Sequence, residues 1–245
     1  MNSITGGAGN DVVVTGAGND TISVSDGANN INAGAGVNSV TSGTGDDVIV
    51  TGAGDDTISA GAGVNSVTAS DGANVITTGN GNDTISTGSG TDMITTGNGA
   101  NVVTSGAGND TIIGGTGIDS ITAGSGVDTL TGGTGADVFF FGSGDTGVAT
   151  ASVADAITDF DAANKFEFGL AAGSASNYVE ASAADYAAAL TAANTAMDGT
   201  VIYAAYDIGA DVAVFVDTNG DGTADQAIIL TGVADLTTIG SGNFI

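Results

Sequence analysis

The chain has 245 residues, of which 28 are acidic and one, Lys165, is basic; its formal net charge is −27, and it contains no Arg, His, Cys, Trp or Pro. Phosphate binding is built on Lys and Arg, so nucleic acid is not an expected partner; without Cys there are no disulfides or zinc–thiolate sites, and without His the commonest general base and transition-metal ligand is gone. No segment has the length of a membrane span, and the opening Met1-Asn-Ser-Ile-Thr-Gly-Gly lacks the basic and apolar stretches of a cleaved signal peptide, so membrane insertion is not expected and any export must use another route.

From Gly7 to Phe141, fifteen nine-residue units follow one another without insertion, each reading Gly-x-Gly-x-(Asp/Asn)-x-aliphatic-x-x. The third position is Gly in all fifteen, and the first is Gly in all but the two that carry Ser25 and Ser70. The fifth is Asp11, Asp20, Asn29, Asn38, Asp47, Asp56, Asn65, Asn74, Asp83, Asp92, Asn101, Asp110, Asp119, Asp128 and Asp137 in turn. A period this strict stacks identical turns, so chemistry at one position repeats as a column along an axis. Gly permits positive φ and Asp or Asn closes a turn on nearby amides. The strand that follows, such as Thr21-Ile22-Ser23 or Ser66-Val67-Thr68, points one apolar side chain inward and two outward. Two units make one coil, and seven and a half coils at a strand spacing of ~4.8 Å span about 36 Å.

One coil apart, the fifth positions form two columns. Asp11, Asn29, Asp47, Asn65, Asp83, Asn101, Asp119 and Asp137 lie on one edge, and Asp20, Asn38, Asp56, Asn74, Asp92, Asp110 and Asp128 on the other. Most gaps between turns face one Asp and one Asn; three have Asp on both sides, all towards the carboxyl end. A thin aliphatic core and unscreened negative charge call for a cation within the structure. Asp46 and Asp55 are either additional ligands or solvated turn residues.

After Gly142 the composition shifts to an aromatic-bearing α+β pattern, which divides the chain into residues 1–141 and 142–245. Ser182-Ala-Ala-Asp185 has capping-box spacing, with Tyr186, Leu190, Ala193 and Met197 at helical intervals before Gly199. Strands are expected over Thr200–Tyr206, Asp211–Val216 and Gln226–Thr231. The last two are joined by a loop carrying Asp217, Asn219, Asp221 and Asp225, which opens like an EF-hand calcium loop but has Ile228 where the bidentate Glu would stand. It reads as a Ca²⁺ site or as a plain acidic hairpin turn.

The nine-residue unit resembles the repeat of RTX proteins, Gly-Gly-x-Gly-x-Asp-x-aliphatic-x, which stands in full at Gly6–Val14, Gly114–Thr122 and Gly132–Phe140. The resemblance implies a mainly β fold, a parallel β-roll with Ca²⁺ held between turns one coil apart by Asp carboxylates and turn carbonyls. Here these would be the fifth-position residues with carbonyls such as those of Gly7, Gly9, Gly16, Gly18, Gly115, Gly117, Gly133 and Gly135. Full occupancy of about 13 gaps would bring roughly +26. The carboxyl-terminal part resembles the uncleaved targeting domain of type I secretion substrates at Ala156–Asp161, Val214–Gly222 and Asn243–Ile245, although Lys165-Phe-Glu-Phe departs from the usual run. That implies passage through a type I secretion apparatus and a location outside the cell or on its surface.

A chain with no His, no Cys and a single Lys offers a nucleophile no ordinary activating base, so no enzyme is expected. The first strand, Ser3-Ile4-Thr5, follows the start directly, and an uncapped rung invites pairing with a second copy. The reading is therefore a structural protein that self-associates into a surface layer, fibril or biofilm matrix, with cell-surface polysaccharide as a further partner. The alternative is an ice-binding or adhesive module. One flat side offers Thr21/Ser23, Ser39/Thr41, Thr57/Ser59 and Thr129/Thr131, interrupted at Val75, Met93 and Ile113.

Overall fold

The computed structural model describes residues 1–147, 153–170, 177–198, 200, 202–233 and 235–245. Sixteen short strands, from Ser3–Thr5 to Val138–Phe140, alternate between two parallel sheets. Each strand pairs with the one 18 residues on, as Thr21–Ser23 does with Ser39–Thr41 and Thr84–Ser86 with Val102–Thr104. The stacked two-unit coils expected from the nine-residue period are thus present, and they form the parallel β-roll that the resemblance implies.

The seventh-position side chains, Val13 to Phe139, all lie inside. The ninth position also points inward, which the expectation of one buried side chain per unit had left out: Val24, Ala33, Ala60 and Ala69 are buried, and so are Ser42, Thr87 and Ser105. Those hydroxyls avoid an unpaired burial by donating one coil along, Ser42 to the Ala60 carbonyl at 2.9 Å and Ser105 to the Ala123 carbonyl at 2.7 Å. The third-position glycines are required twice over. At Gly63, φ is +136°, and a Cβ would collide with the Gly45 carbonyl of the preceding coil.

The coil does not stop where the repeat register does. Asp155–Ile157 pairs in parallel with Thr129–Thr131, and Lys165–Glu167 with Val138–Phe140, each at an offset of 27 residues instead of 18. The first sheet then continues through Gln226–Leu230, Val212–Val216, Tyr203–Asp207 and Tyr178–Ser182, the middle pairings antiparallel. Sheet and apolar core both run across Phe141 without a break. An aromatic plug closes this end: Phe166 stacks on Phe160 at 4.4 Å between ring centres, and Tyr203 on Phe244 at 4.3 Å.

The helix Tyr186–Ala196 packs its Tyr186, Ala189 and Ala193 against Phe215 and its neighbours. Its cap is Asp185, whose carboxylate accepts from the Ala188 amide at 2.9 Å, not Ser182, which still belongs to the strand paired with Tyr203–Asp207. Met197 ends the helix; Gly199 and Val201 lie outside the described residues. The strand expected over Thr200–Tyr206 is Tyr203–Asp207. Among the described residues no helix is long and apolar enough to cross a membrane.

Candidate metal centre

The fifth-position side chains turn inward at the two edges of the roll and are almost all fully buried. From Asn29 onward each uses one oxygen the same way. Oδ1 accepts the backbone N–H of the fifth residue one coil earlier, as Asp137 does from Asp119 at 2.9 Å, Asp128 from Asp110 at 2.7 Å and Asn65 from Asp47 at 3.1 Å. These bonds tie successive turns together and fix where the second side-chain atom must go.

That second atom separates Asn from Asp. The amide nitrogen of Asn29 donates to the carbonyls of Ser25 at 3.2 Å and Gly27 at 2.9 Å in its own turn, to the Ser42 carbonyl at 3.1 Å and to Asp47 Oδ1 at 2.9 Å one coil on. Asn38, Asn65 and Asn74 likewise reach the first- and third-position carbonyls of their turns. The backbone repeats in register, so an Asp turn presents the same carbonyls to a carboxylate oxygen that has no hydrogen to donate. Accordingly Oδ2 of Asp11, Asp20, Asp47, Asp56, Asp83, Asp92, Asp110, Asp119, Asp128 and Asp155 is buried without a partner. Buried anionic oxygens facing carbonyls suit a hard cation that takes six to eight oxygen ligands, which is Ca²⁺. Among the described residues no three acidic side chains gather at one point. A cation in such a gap would meet one or two carboxylates and main-chain oxygens.

Asp155 and Asn164 extend the two columns beyond the fifteen units. Asp155 Oδ1 accepts from the Asp128 amide at 2.9 Å, and the Asn164 amide donates to Asp137 Oδ2 at 3.2 Å. Their signal is Asp155-Ala-Ile-Thr and Asn164-Lys-Phe-Glu, an acidic or amide residue two before a buried apolar one, without the Gly-x-Gly that marks the other turns. Asp159 caps the last glycine pair by accepting from the Gly132 and Gly133 amides at 2.9 and 2.6 Å. Asp46 and Asp55 are exposed, and accept the backbone N–H of Val64 at 2.7 Å and Ala73 at 2.8 Å as an outer ladder.

The loop after Val216 is built differently from the roll. Asp217 accepts from the Gly220 and Gly222 amides, Asp225 from Thr218 and Asn219, and Asp221 from Thr223, while Asn219 accepts from the Asp221 amide. Its carboxylates are satisfied within the turn.

The profile of the RTX calcium-binding nonapeptide repeat matches in overlapping four-copy windows, 5–40, 23–58, 32–67, 41–76, 59–94, 68–103, 86–121 and 113–147, more than half of the chain. The chain belongs to the RTX calcium-binding repeat family. No curated protein matches it. One solved structure similar to this RTX chain is the extracellular lipase LipA from Serratia marcescens, 16% identical, with a TM-score of 0.30 over 97% of this chain and 38% of the lipase. This RTX chain thus spans well under two thirds of that lipase, and the likeness is too distant to transfer anything from it.

Burial is the main cause that raises the carboxyls of Asp110, Asp119 and Asp137, and it pushes Asp128 up to about 6 and Asp155 to about 8, with neighbouring carboxylates adding to the rise. The folded, metal-free chain therefore holds protons that the unfolded chain has already released above about pH 4. Its stability should fall as pH climbs through 6 and 8, against the usual carboxylate trend. In chelator, circular dichroism is expected to show more folded β-structure at pH 5 than at pH 8. With saturating Ca²⁺, which displaces those protons, the order should reverse.

Proposed function

We propose that this RTX protein is a secreted structural protein that folds on binding Ca²⁺ outside the cell and then self-associates into a surface layer, fibril or biofilm matrix, without catalysing a reaction. The observation that carries this reading is the pair of columns of buried carboxylates whose second oxygens have no donor. Such a roll is held unfolded where Ca²⁺ is scarce and ordered at the 10⁻⁴–10⁻³ M affinities typical of extracellular modules. RTX repeats are typical of secreted proteins, and passage through a type I secretion apparatus as an unfolded chain fits a fold that waits for the ion. Self-association is supported by the flat sheet that carries Val12, Val14, Val48 and Val50 outward, 79%, 69%, 44% and 37% exposed. Cell-surface polysaccharide is a further candidate partner. Circular dichroism and light scattering recorded through one Ca²⁺ titration, then reversed with EGTA, test both halves. Ordered β-structure should appear first and scattering second; monomers at high protein concentration in millimolar Ca²⁺ would remove the assembly half.

A second reading is favoured by one observation. The outward column Ser23, Thr41, Ser59, Thr77 and Thr95 stands in unbroken parallel register on one flat side. Val75 and Met93 fall in the neighbouring column and flank this hydroxyl row, while Ile113, in register with Thr95, ends it. A row of that kind orders water, and thermal hysteresis in the Ca²⁺-loaded monomer is the readout that would bring an ice-binding role forward.

A further inference from the structure

The Asn turns and the Asp turns share a backbone but not a need. In the gap that opens above Asn29, one amide nitrogen meets four oxygens, two carbonyls of its own turn, one carbonyl of the next and the Asp47 carboxylate. Asn74 repeats this, donating to its own Ser70 and Gly72 carbonyls and to Asp92 Oδ1 at 3.0 Å. Those are the oxygens a cation would gather in an Asp turn, and here two N–H donors from the protein gather them instead. No Asn of the two columns leaves its amide nitrogen unpartnered, whereas ten Asp leave Oδ2 without a donor.

The residue just before the turn follows the same division through most of the roll, up to the turn of Asp92. Ser42, Thr51, Thr78, Thr87 and Ser105, all buried, precede Asp turns, and Val24, Ala33, Ala60 and Ala69 precede Asn turns. An inward hydroxyl adds an oxygen beside a carboxylate that awaits an ion; an inward methyl seals a turn that is already satisfied. Thr96, before Asn101, and the buried Ala123, before Asp128, depart from the pattern; like Ser42 and Ser105, Thr96 donates to a carbonyl one coil on, that of Gly114.

We infer that the five Asn residues are built-in replacements for Ca²⁺, so that an ion enters a gap only when the turn nearer the amino terminus carries Asp. This rests on the calcium-binding reading above and refines it. The mixed gaps are then of two kinds. Asp47 followed by Asn65 is an ion site, whereas Asn29 followed by Asp47 is closed by the protein. Counting orphaned Oδ2 atoms and leaving out Asp155, which ends its column, gives about nine ions instead of one in every gap. Through most of the roll, metal-bound and metal-free gaps alternate along each edge, and the metal-dependent ones become consecutive only from Asp92 onward.

Native mass spectrometry and equilibrium dialysis with Ca²⁺, on dilute monomeric full-length protein, test the assignment. The wild type should bind about nine ions, Asn65→Asp one more, and Asp83→Asn one fewer. The free Ca²⁺ concentration at half-folding should rise for Asn65→Asp and fall for Asp83→Asn, a shift of opposite sign that a general packing defect would not give. An unchanged ion number in both variants, or filling of all gaps in the wild type, overturns the inference while leaving a calcium-binding protein. A wild type that binds no Ca²⁺ overturns the proposed function as well. Should Asn65→Asp not fold even in saturating Ca²⁺, the site it creates does not hold an ion and the inference fails.

Discussion

Withdrawing Ca²⁺ at neutral pH is expected to abolish hydrogen-exchange protection first in the rungs between Asp92 and Asp155, with loss spreading from there towards the amino terminus. Each buried oxygen left without a partner costs on the order of 1–3 kcal/mol, and ten of them match or exceed the whole stability of an ordinary domain, roughly 5–15 kcal/mol. The cost is not evenly spread. Along one edge Asp92, Asp110, Asp128 and Asp155 follow one another without an intervening Asn, and each of the last three adds a carboxylate to the field of its neighbour. Towards the amino terminus Asn29, Asn38, Asn65 and Asn74 relieve every other gap. Residue-resolved exchange during a Ca²⁺ titration at pH 7.5 is the measurement. The 92–155 rungs should lose protection at the highest free Ca²⁺ on the way down, and loss that is simultaneous along the whole roll would contradict it.

The coil was legible because its period never slips: fifteen Gly at the third position force one turn shape, and a fixed turn forces a fixed register. Two further rungs were not, since nine extra residues separate the first of them from the repeats and Asp155-Ala-Ile-Thr carries no glycine to announce a turn. The columns of ligands were legible too, yet Asp and Asn look interchangeable in a pattern that asks only for a short polar side chain closing a turn. Their difference lies in one atom, an amide nitrogen that donates where a carboxylate oxygen cannot, and this appears only when the surrounding carbonyls are in place. The helix cap was missed by three residues for a similar reason. Ser182 and Asp185 both suit the role, and strand pairing with Asp207 had already claimed the first.

Phe166→Ala is expected to cost about 3–5 kcal/mol, the range for removing a fully buried aromatic. Phe166 lies in register with Phe139, stacks on Phe160 and touches Phe244, so its loss opens the end of the core at the rung that also carries Asn164. Asn164 donates to Asp137 Oδ2, and a frayed rung would hand that carboxylate back to solvent or to an ion. The mutation should therefore lower the thermal midpoint in saturating Ca²⁺ and raise the Ca²⁺ concentration at which the chain folds. Linkage sets the size of the second effect: when n ions bind only the folded chain, the destabilisation equals nRT times the logarithm of the shift in that concentration. With n about nine, a loss of about 4 kcal/mol moves the midpoint only about two-fold. Phe166→Leu, which keeps most of the volume, should recover most of it. A shift of ten-fold or more for the same loss in stability would mean that about three ions, not nine, are taken up with folding.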